Sequence, residues 1–214
     1  MEKKKFIIAI DGTAASGKGT IGLKLAKNLK FKYLDTGLLY RLVAFLSLEK
    51  GKGVIKENIA SKMSSNININ NLNLKDLLND EVAQAASKVA AIKSVRENLF
   101  QFQKKFPEKQ FGSIIDGRDI GTVVFPNADI KFFITANENV RALRRYEQLK
   151  SFDRKVSLEK IKNDLIERDS RDYLRKVSPL KCHKNAYLID TSNLNVKTSV
   201  DIAMEIIENK LQYF

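Results

Sequence analysis

Gly12-Thr13-Ala14-Ala15-Ser16-Gly17-Lys18-Gly19-Thr20 decides how this chain is read. The stretch follows a short apolar run, Lys5 to Ile10, closed by Asp11-Gly12. It opens a segment, Lys18 to Leu29, in which Ile21, Leu25, Ala26 and Leu29 recur at helical spacing. A strand, a glycine-rich turn, a lysine and a helix in that order form a phosphate cradle. Glycines let the backbone curl until its N–H groups face inward, and the helix N-terminus adds partial positive charge. Gly12 to Thr20 are therefore the candidate triphosphate-binding residues, with Lys18 reaching the β and γ phosphates.

Outward from the cradle, strand and helix patterns alternate. Phe31 to Leu34 predicts a strand and Leu38 to Leu48 an apolar helix closed by Gly51 and Gly53. A short helix is expected around Ile55–Met63, then Asn-rich irregular chain, then one long helix from Glu81 to Phe106, ended by Pro107. Gly112–Ile115 and Ile130–Thr135 predict strands, Glu138–Leu149 and Ser157–Leu174 helices, Ala186–Ile189 a strand and Val196–Leu211 a final helix. The alternation implies an α/β fold: a parallel sheet of the P-loop NTPase type, flanked by helices. Ligands of such sheets bind at the carboxyl ends of the strands, where the motifs of this chain fall.

The chain has 214 residues, 43% of them hydrophobic, enough for one compact domain with an insertion. No apolar run approaches the roughly 18 residues of a membrane span, and the basic start is too short for a signal peptide. A single cysteine, Cys182, excludes an internal disulfide and a multi-cysteine zinc site. A soluble cytoplasmic monomer is expected. The formal net charge of +13 suggests nucleic acid at first sight, but the lysines are scattered and no aromatic–basic interleaving marks a strand-binding surface. Of the ten arginines, seven lie between Arg141 and Arg175 and none in residues 1–40. Guanidinium forks suit phosphate, so the cluster points to a phosphorylated small molecule rather than to nucleic acid or membrane.

Further segments carry the chemistry: Asp35-Thr36-Gly37-Leu38-Leu39-Tyr40-Arg41; Ala85-Ala86-Ser87 with Val95-Arg96-Glu97; Asp116-Gly117-Arg118-Asp119-Ile120-Gly121-Thr122-Val123-Val124-Phe125-Pro126; and Arg168-Asp169-Ser170-Arg171-Asp172-Tyr173-Leu174-Arg175. In their order and over nearly the whole chain they resemble the bacterial cytidylate (CMP) kinase family, P-loop nucleoside monophosphate kinases. The Asp116–Pro126 segment is the most family-specific. The cradle shares a family feature too: Gly19 stands where the common pattern has a hydroxyl ligand for magnesium, and the hydroxyl comes one later, at Thr20.

The resemblance implies ATP-dependent phosphorylation of CMP, and of dCMP, with Mg2+ accompanying ATP. It implies that Arg41, Arg118 and Thr36 hold the acceptor phosphate side, that Asp172 takes ribose hydroxyls, and that Arg168 and Arg175 on the same helix face complete the site. It implies that Asp119 accepts from the cytosine amine while Arg96 and Ser87 suit the ring acceptors. Uracil has an oxygen in place of that amine, which a fixed carboxylate repels. Asp116, at a strand end, is the expected outer-shell carboxylate for magnesium, through water. Charge in phosphoryl transfer spreads over equatorial oxygens, so Lys18, Arg118, Arg141, Arg144, Arg145 and Arg168 are the expected electrostatic catalysts.

Arg141, Arg144 and Arg145 fall at i, i+3 and i+4, where like charges cost an isolated helix roughly 0.2–0.5 kcal/mol per pair; a nearby anion reverses that cost. Residues 141–175 are read as a lid of two helices closing over the triphosphate, residues 36–106 as the acceptor-binding insertion, and 1–35 with 107–214 as the core. The insertion is shorter than is usual in the family, and Leu78-Asn79-Asp80 replaces the usual Ile-Arg-Thr step. A smaller, more mobile insertion lacking its small sheet is expected. Another acceptor, UMP or shikimate, is the nearest alternative. A nucleotide-driven switch leaves the acceptor-side arginines unexplained.

Overall fold

The computed structural model describes residues 5–67, 74–109, 111–150 and 157–213. Five strands form one parallel sheet in the order β2-β3-β1-β4-β5: β1 (Phe6–Gly12), β2 (Lys32–Asp35), β3 (Gly112–Asp116), β4 (Ile130–Thr135) and β5 (Tyr187–Asp190). The central strand β1 pairs with β3 through Phe6–Gly112 to Ile10–Asp116 and with β4 through Ile8–Ile130 to Gly12–Ile134. Parallel strands covered on both faces read as continuous apolar runs, as Phe6-Ile7-Ile8-Ala9-Ile10 does.

Alternate side chains of β1 divide the core. Phe6, Ile8 and Ile10 pack with Ile21, Leu25 and Ala26 of α1 (Lys18–Leu29) and with Val200, Ala203 and Ile207 of α9 (Val196–Leu211). Ala9 faces the opposite side with Leu34 and Ile115. There the sheet meets α2 (Thr36–Lys50), α3 (Glu57–Ser65), α5 (Asp80–Val89) and α6 (Lys93–Lys105), with the single turn α4 (Leu74–Leu77) between α3 and α5. The described residues of 36–106 contain no strand. Ala60 and Leu77 within this stretch are buried, so it rests on the core. Part of the Asn-rich stretch, 68–73, lies outside the described residues.

The single helix expected over Glu81–Phe106 is two helices. Ile92 is extended, at φ −81° and ψ 121°. Ala90-Ala91-Ile92 contains no breaker, so the cause is tertiary. Arg96 donates to the Ala90 carbonyl at 3.3 Å, and Val89 before the turn and Val95 and Leu99 after it are all fully buried. Asn79, part of the unusual step, caps α5 by accepting from the Val82 N–H at 2.8 Å.

The stretch expected as a lid contains α7 (Glu138–Lys150) and α8 (Leu158–Leu174), the latter capped by Ser157, which accepts from the Lys160 N–H. The link 151–156, with Arg154, lies outside the described residues. The two helices have their own small core of Ala142, Leu149, Ile161 and Leu165, and that core includes Ala14 of the glycine-rich turn. After β3, Ile120–Val124 forms one π-helical turn. Buried Asp11 at the end of β1 holds it by accepting from Ile120 N at 2.8 Å and Gly121 N at 2.7 Å. Burial lifts the Asp11 carboxyl to about 7, although both N–H groups pull it down.

Candidate active site

The carboxyl ends of β1, β3 and β2 converge on a cleft of about 810 Å³. At its floor the chain from β1 turns sharply. A Cβ on Gly12 would stand 1.9 Å from the Ile134 carbonyl oxygen, so this position accepts only glycine. Gly17, at φ 93°, turns the loop into α1, whose first residue is Lys18. The lysine is buried and donates to the Thr13 carbonyl at 3.0 Å; the Ser16 hydroxyl donates to the same oxygen at 3.0 Å. Burial, with help from Arg118 and Arg168, lowers its ammonium to about 8, while Asp116 and Asp35 oppose that fall.

Ala14 to Thr20 line the cleft together with Arg41, Asp116, Arg118, Arg144, Arg145 and Arg168. Six cationic side chains thus face three carboxyls, those of Asp35, Asp116 and Glu147. Burial and mutual repulsion pull Arg41 down to about 9 and Arg168 to about 10. Guanidinium holds its proton in proteins, and the direction of both shifts means that an incoming anion is favoured here. Arg41 donates to the Leu77 carbonyl at 2.8 Å, which aims it from α2 across the cleft mouth. The buried Nε of Arg168 has no hydrogen-bond partner among the described residues. Arg144 grips Thr191 through the side-chain oxygen at 2.9 Å and the carbonyl at 2.7 Å. Arg145 donates to Gln148 at 2.9 Å and reaches Asp80 at 3.5 Å, joining lid to insertion.

Arg141 and Thr36 contact other parts of the protein. Arg141, expected at the triphosphate, is buried and does not line the cleft; it donates to the carbonyls of Ala136 and Ala14 and pairs with Asp169. Thr36 donates its hydroxyl proton to the Asp116 carbonyl at 2.7 Å, fastening α2 to the end of β3. Both are occupied within the protein.

Asp116 accepts from the Tyr33 hydroxyl at 3.1 Å. Burial raises its carboxyl to about 6, against the pull of Lys18. Among the described residues no three metal-ligating side chains gather, and Thr20 is exposed at the cleft edge. This donor set fits magnesium that takes most ligands from phosphates and water, its habitual mode, with Asp116 close by.

Behind the cleft, Arg96, Asp119, Arg175, Asp172 and Arg118 form a chain of ion pairs. Asp119 pairs with Arg96 and lies 3.7 Å from Arg175; Asp172 lies 3.5 Å from Arg175 and 2.9 Å from Arg118. Burial works against the Asp172 carboxylate, yet Arg118, Arg168 and Arg175 hold it below its ordinary range. Burial likewise works against Arg118, but Asp172 and Asp116 raise it. Arg96 also stacks over the Tyr40 ring at 5.6 Å. Together with Tyr40 and Phe100 it lines a second cavity of about 250 Å³. Ser87 stands apart from this chain: it accepts from Arg171 at 3.0 Å and donates to the Gln84 carbonyl at 2.9 Å.

Sequence reasoning missed Asp35, Thr191 and Asn195 of the cleft wall, and gave Asp169 and Arg171 no role. Thr191 and Asn195 sit just past β5, a strand end whose Thr-Ser-Asn run marks a turn and was the available signal.

A family model described as cytidylate kinase matches residues 8–209. A protein named cytidylate kinase from Bartonella tribocorum is 45% identical over 205 residues, covering 96% of this chain and 95% of its own. Its namesake from Bartonella bacilliformis is 46% identical over 203 residues, covering 95% and 94%. A solved structure of an uncharacterized protein from Eubacterium ventriosum superposes with a TM-score of 0.59 at 17% identity, covering 95% of this chain and 99% of its own, a likeness of fold alone.

Proposed function

Since the chain belongs to the cytidylate kinase family, we propose a division of labour among its residues for moving the γ-phosphoryl group of ATP to CMP. The enzyme is an ATP-dependent nucleoside monophosphate kinase acting on CMP. The observation that carries the assignment of roles is the shared cleft: Lys18, from the turn after β1, and Arg118, from the turn after the adjacent strand β3, line it with Arg41 and Arg168.

The cradle Gly12–Thr20 and Lys18 hold the triphosphate. Arg41 and Arg118 hold the acceptor phosphate in line with it. Arg144, Arg145 and Arg168 neutralise the charge that spreads over the moving group. The acceptor is already an oxyanion, so no general base is required. Asp116 would hold magnesium through water, and the ion, when bound with ATP, would supply neutralising charge at the donor phosphates. Asp119, Arg96 and Ser87 read the base, and Asp172 with Arg175 takes the ribose, which admits dCMP as a second acceptor. Base entry exchanges the Arg96–Asp119 pair for contacts with cytosine. Residues 1–35 and 107–214 act as the fixed core, 36–106 as the moving acceptor arm and 141–175 as the lid, in a monomer. Among the described residues no helix is long and apolar enough to cross a membrane.

An ATP-coupled assay across the common nucleoside monophosphates, with shikimate added, tests the reading. CMP first and dCMP second is the expected order. Preference for UMP or shikimate would overturn it.

A further inference from the structure

Both polar backbone atoms of one cradle residue are held by the lid. The Ala14 N–H donates to Asp169 Oδ1 at 3.1 Å, and the Ala14 carbonyl accepts from Arg141 at 3.1 Å. Arg141 comes from α7 and Asp169 from α8, and the two form an ion pair with each other. All three residues are buried: Ala14 is 2% exposed, Arg141 4% and Asp169 7%. A second Arg141 nitrogen donates to the Ala136 carbonyl at 2.8 Å, which anchors the guanidinium at the end of β4. The Ala14 methyl is itself part of the lid's apolar core, and Ala15 packs against it.

Two successive peptide planes are therefore pinned. Asp169 fixes the Thr13–Ala14 plane through its N–H; Arg141 fixes the Ala14–Ala15 plane through its carbonyl. A trans peptide sets its N–H opposite its C=O. Arg141 lies outside the cleft lining, whereas Ala14 and Ala15 line it. A carbonyl drawn toward Arg141 thus directs the Ala15 N–H the other way, into the concavity. Ala15 also stands at φ 56°, a left-handed conformation that is unfavourable for a residue with a Cβ and persists where the surroundings enforce it.

We propose that the Arg141–Asp169 pair is a positioning device of the lid, which fixes the Ala14 peptides and thereby presents the Ala15 N–H as a phosphate donor. It rests on the reading of Gly12–Thr20 as a triphosphate cradle. Arg141 acts here through the backbone and touches no phosphate. The lid's small core and the cradle form one unit, so correct lid packing and phosphate affinity rise and fall together.

Inorganic tripolyphosphate, which has neither base nor ribose, is the probe. Calorimetric titration of Arg141→Met should show affinity lower by about tenfold, the loss of one charge-assisted contact. KM for ATP should rise in parallel, with KM for CMP changed by less than about twofold. Arg141→Lys should restore most of the loss, since an ammonium can still donate to the Ala14 carbonyl. Equal losses for ATP and CMP, a fall in kcat with KM for ATP unchanged, or no rescue by lysine would each overturn the proposal. Should the variants fail to fold, amide exchange on the wild-type chain decides. The Ala14 amide should be protected without ligand, and the Ala15 amide should gain protection on adding tripolyphosphate. An Ala15 amide indifferent to tripolyphosphate overturns the proposal. Wild-type turnover of CMP, measured on the same sample, tests the kinase reading separately: it can fail while tripolyphosphate binding and its dependence on Arg141 stand.

Discussion

The phosphate-cradle cleft and the chain of charges behind it solve opposite electrostatic problems. The cleft gathers six cations against three carboxyls, and burial with repulsion from neighbouring cations weakens the positive charge of Lys18, Arg41 and Arg168. The chain behind it alternates arginine and aspartate, and each group stabilises the charge of the next. One site is made favourable to anions by being uncomfortable without them. The other is preorganised and self-neutralised. On the proposed assignment of roles, the difference teaches that phosphate binding and base selectivity are stored separately, and substitutions should separate them.

The largest effect is expected from Lys18→Ala. Loss of a buried donor aimed at developing charge lowers turnover by about 10²–10³ or more. Stability should hold or rise, because the ammonium sits below its ordinary pKa and is costly to keep charged at pH 7. Steady-state kinetics and thermal melting check the two halves together. An active variant, or an inactive one that melts much earlier, would break the comparison at the donor end.

Asp119→Ala should behave inversely. It leaves Arg96 and Arg175 buried without their shared carboxylate, and breaking such a pair costs about 3–5 kcal/mol of stability. It also removes the group expected at the cytosine amine, so the preference for CMP over UMP should narrow by about 10–100-fold, the worth of a charged hydrogen bond. Relative kcat/KM for the two acceptors is the measurement. Equal loss on both would assign Asp119 to the scaffold alone.

A smaller and purely local effect belongs to Asn79→Ala. The N-cap of α5 is lost, at about 1 kcal/mol. Amide protection should fall along α5 and stay unchanged along α1, since the cap touches only the insertion. A change at α1 of equal size would mean that insertion and cradle do not move independently.

How much of this was readable beforehand follows the range of the contacts. The helix α1 was expected over Lys18–Leu29 and found there, because glycine turn, lysine and apolar spacing are adjacent in the chain. Family order brought Arg96, Asp119, Asp172 and Arg175 into one list, and the fold brings them into one chain of pairs. The break at Ala90–Ile92 was hidden, since Arg96 and core packing cause it rather than any local breaker. The π-helical turn at Ile120–Val124 was hidden as well: its anchor, Asp11, lies more than a hundred residues earlier. The contacts of Arg141 were hidden for the same reason. Its spacing with Arg144 and Arg145 suggested a common ligand, while its partner Asp169 sits on another helix. Periodicity reports which face a residue is on; it is silent about which polar group waits there.

The finest test of the comparison is proton exchange on binding. Lys18 is lowered to about 8 by burial, with Arg118 and Arg168 adding to the fall. An ammonium lowered to about 8 would be roughly half neutral at pH 8 in the free protein. A triphosphate brings negative charge beside it, which favours the ammonium and lifts its pKa. A group whose pKa is higher in the bound state takes up protons on binding. Uptake should therefore run from about pH 7 to pH 10. Asp116, raised to about 6, is lifted further by the same charge, but its uptake lies at lower pH. Calorimetry of an unreactive ATP analogue at pH 8, in buffers of different ionisation enthalpy, isolates the lysine. The expected value is about half a proton taken up per nucleotide. Lys18→Met should abolish it. CMP alone meets Asp172 held low and Arg118 held high, both fully charged at pH 8, so its binding should exchange almost none. Equal uptake with CMP, or uptake that survives the loss of Lys18, would mean that the electrostatic contrast between the two sites does not exist in solution.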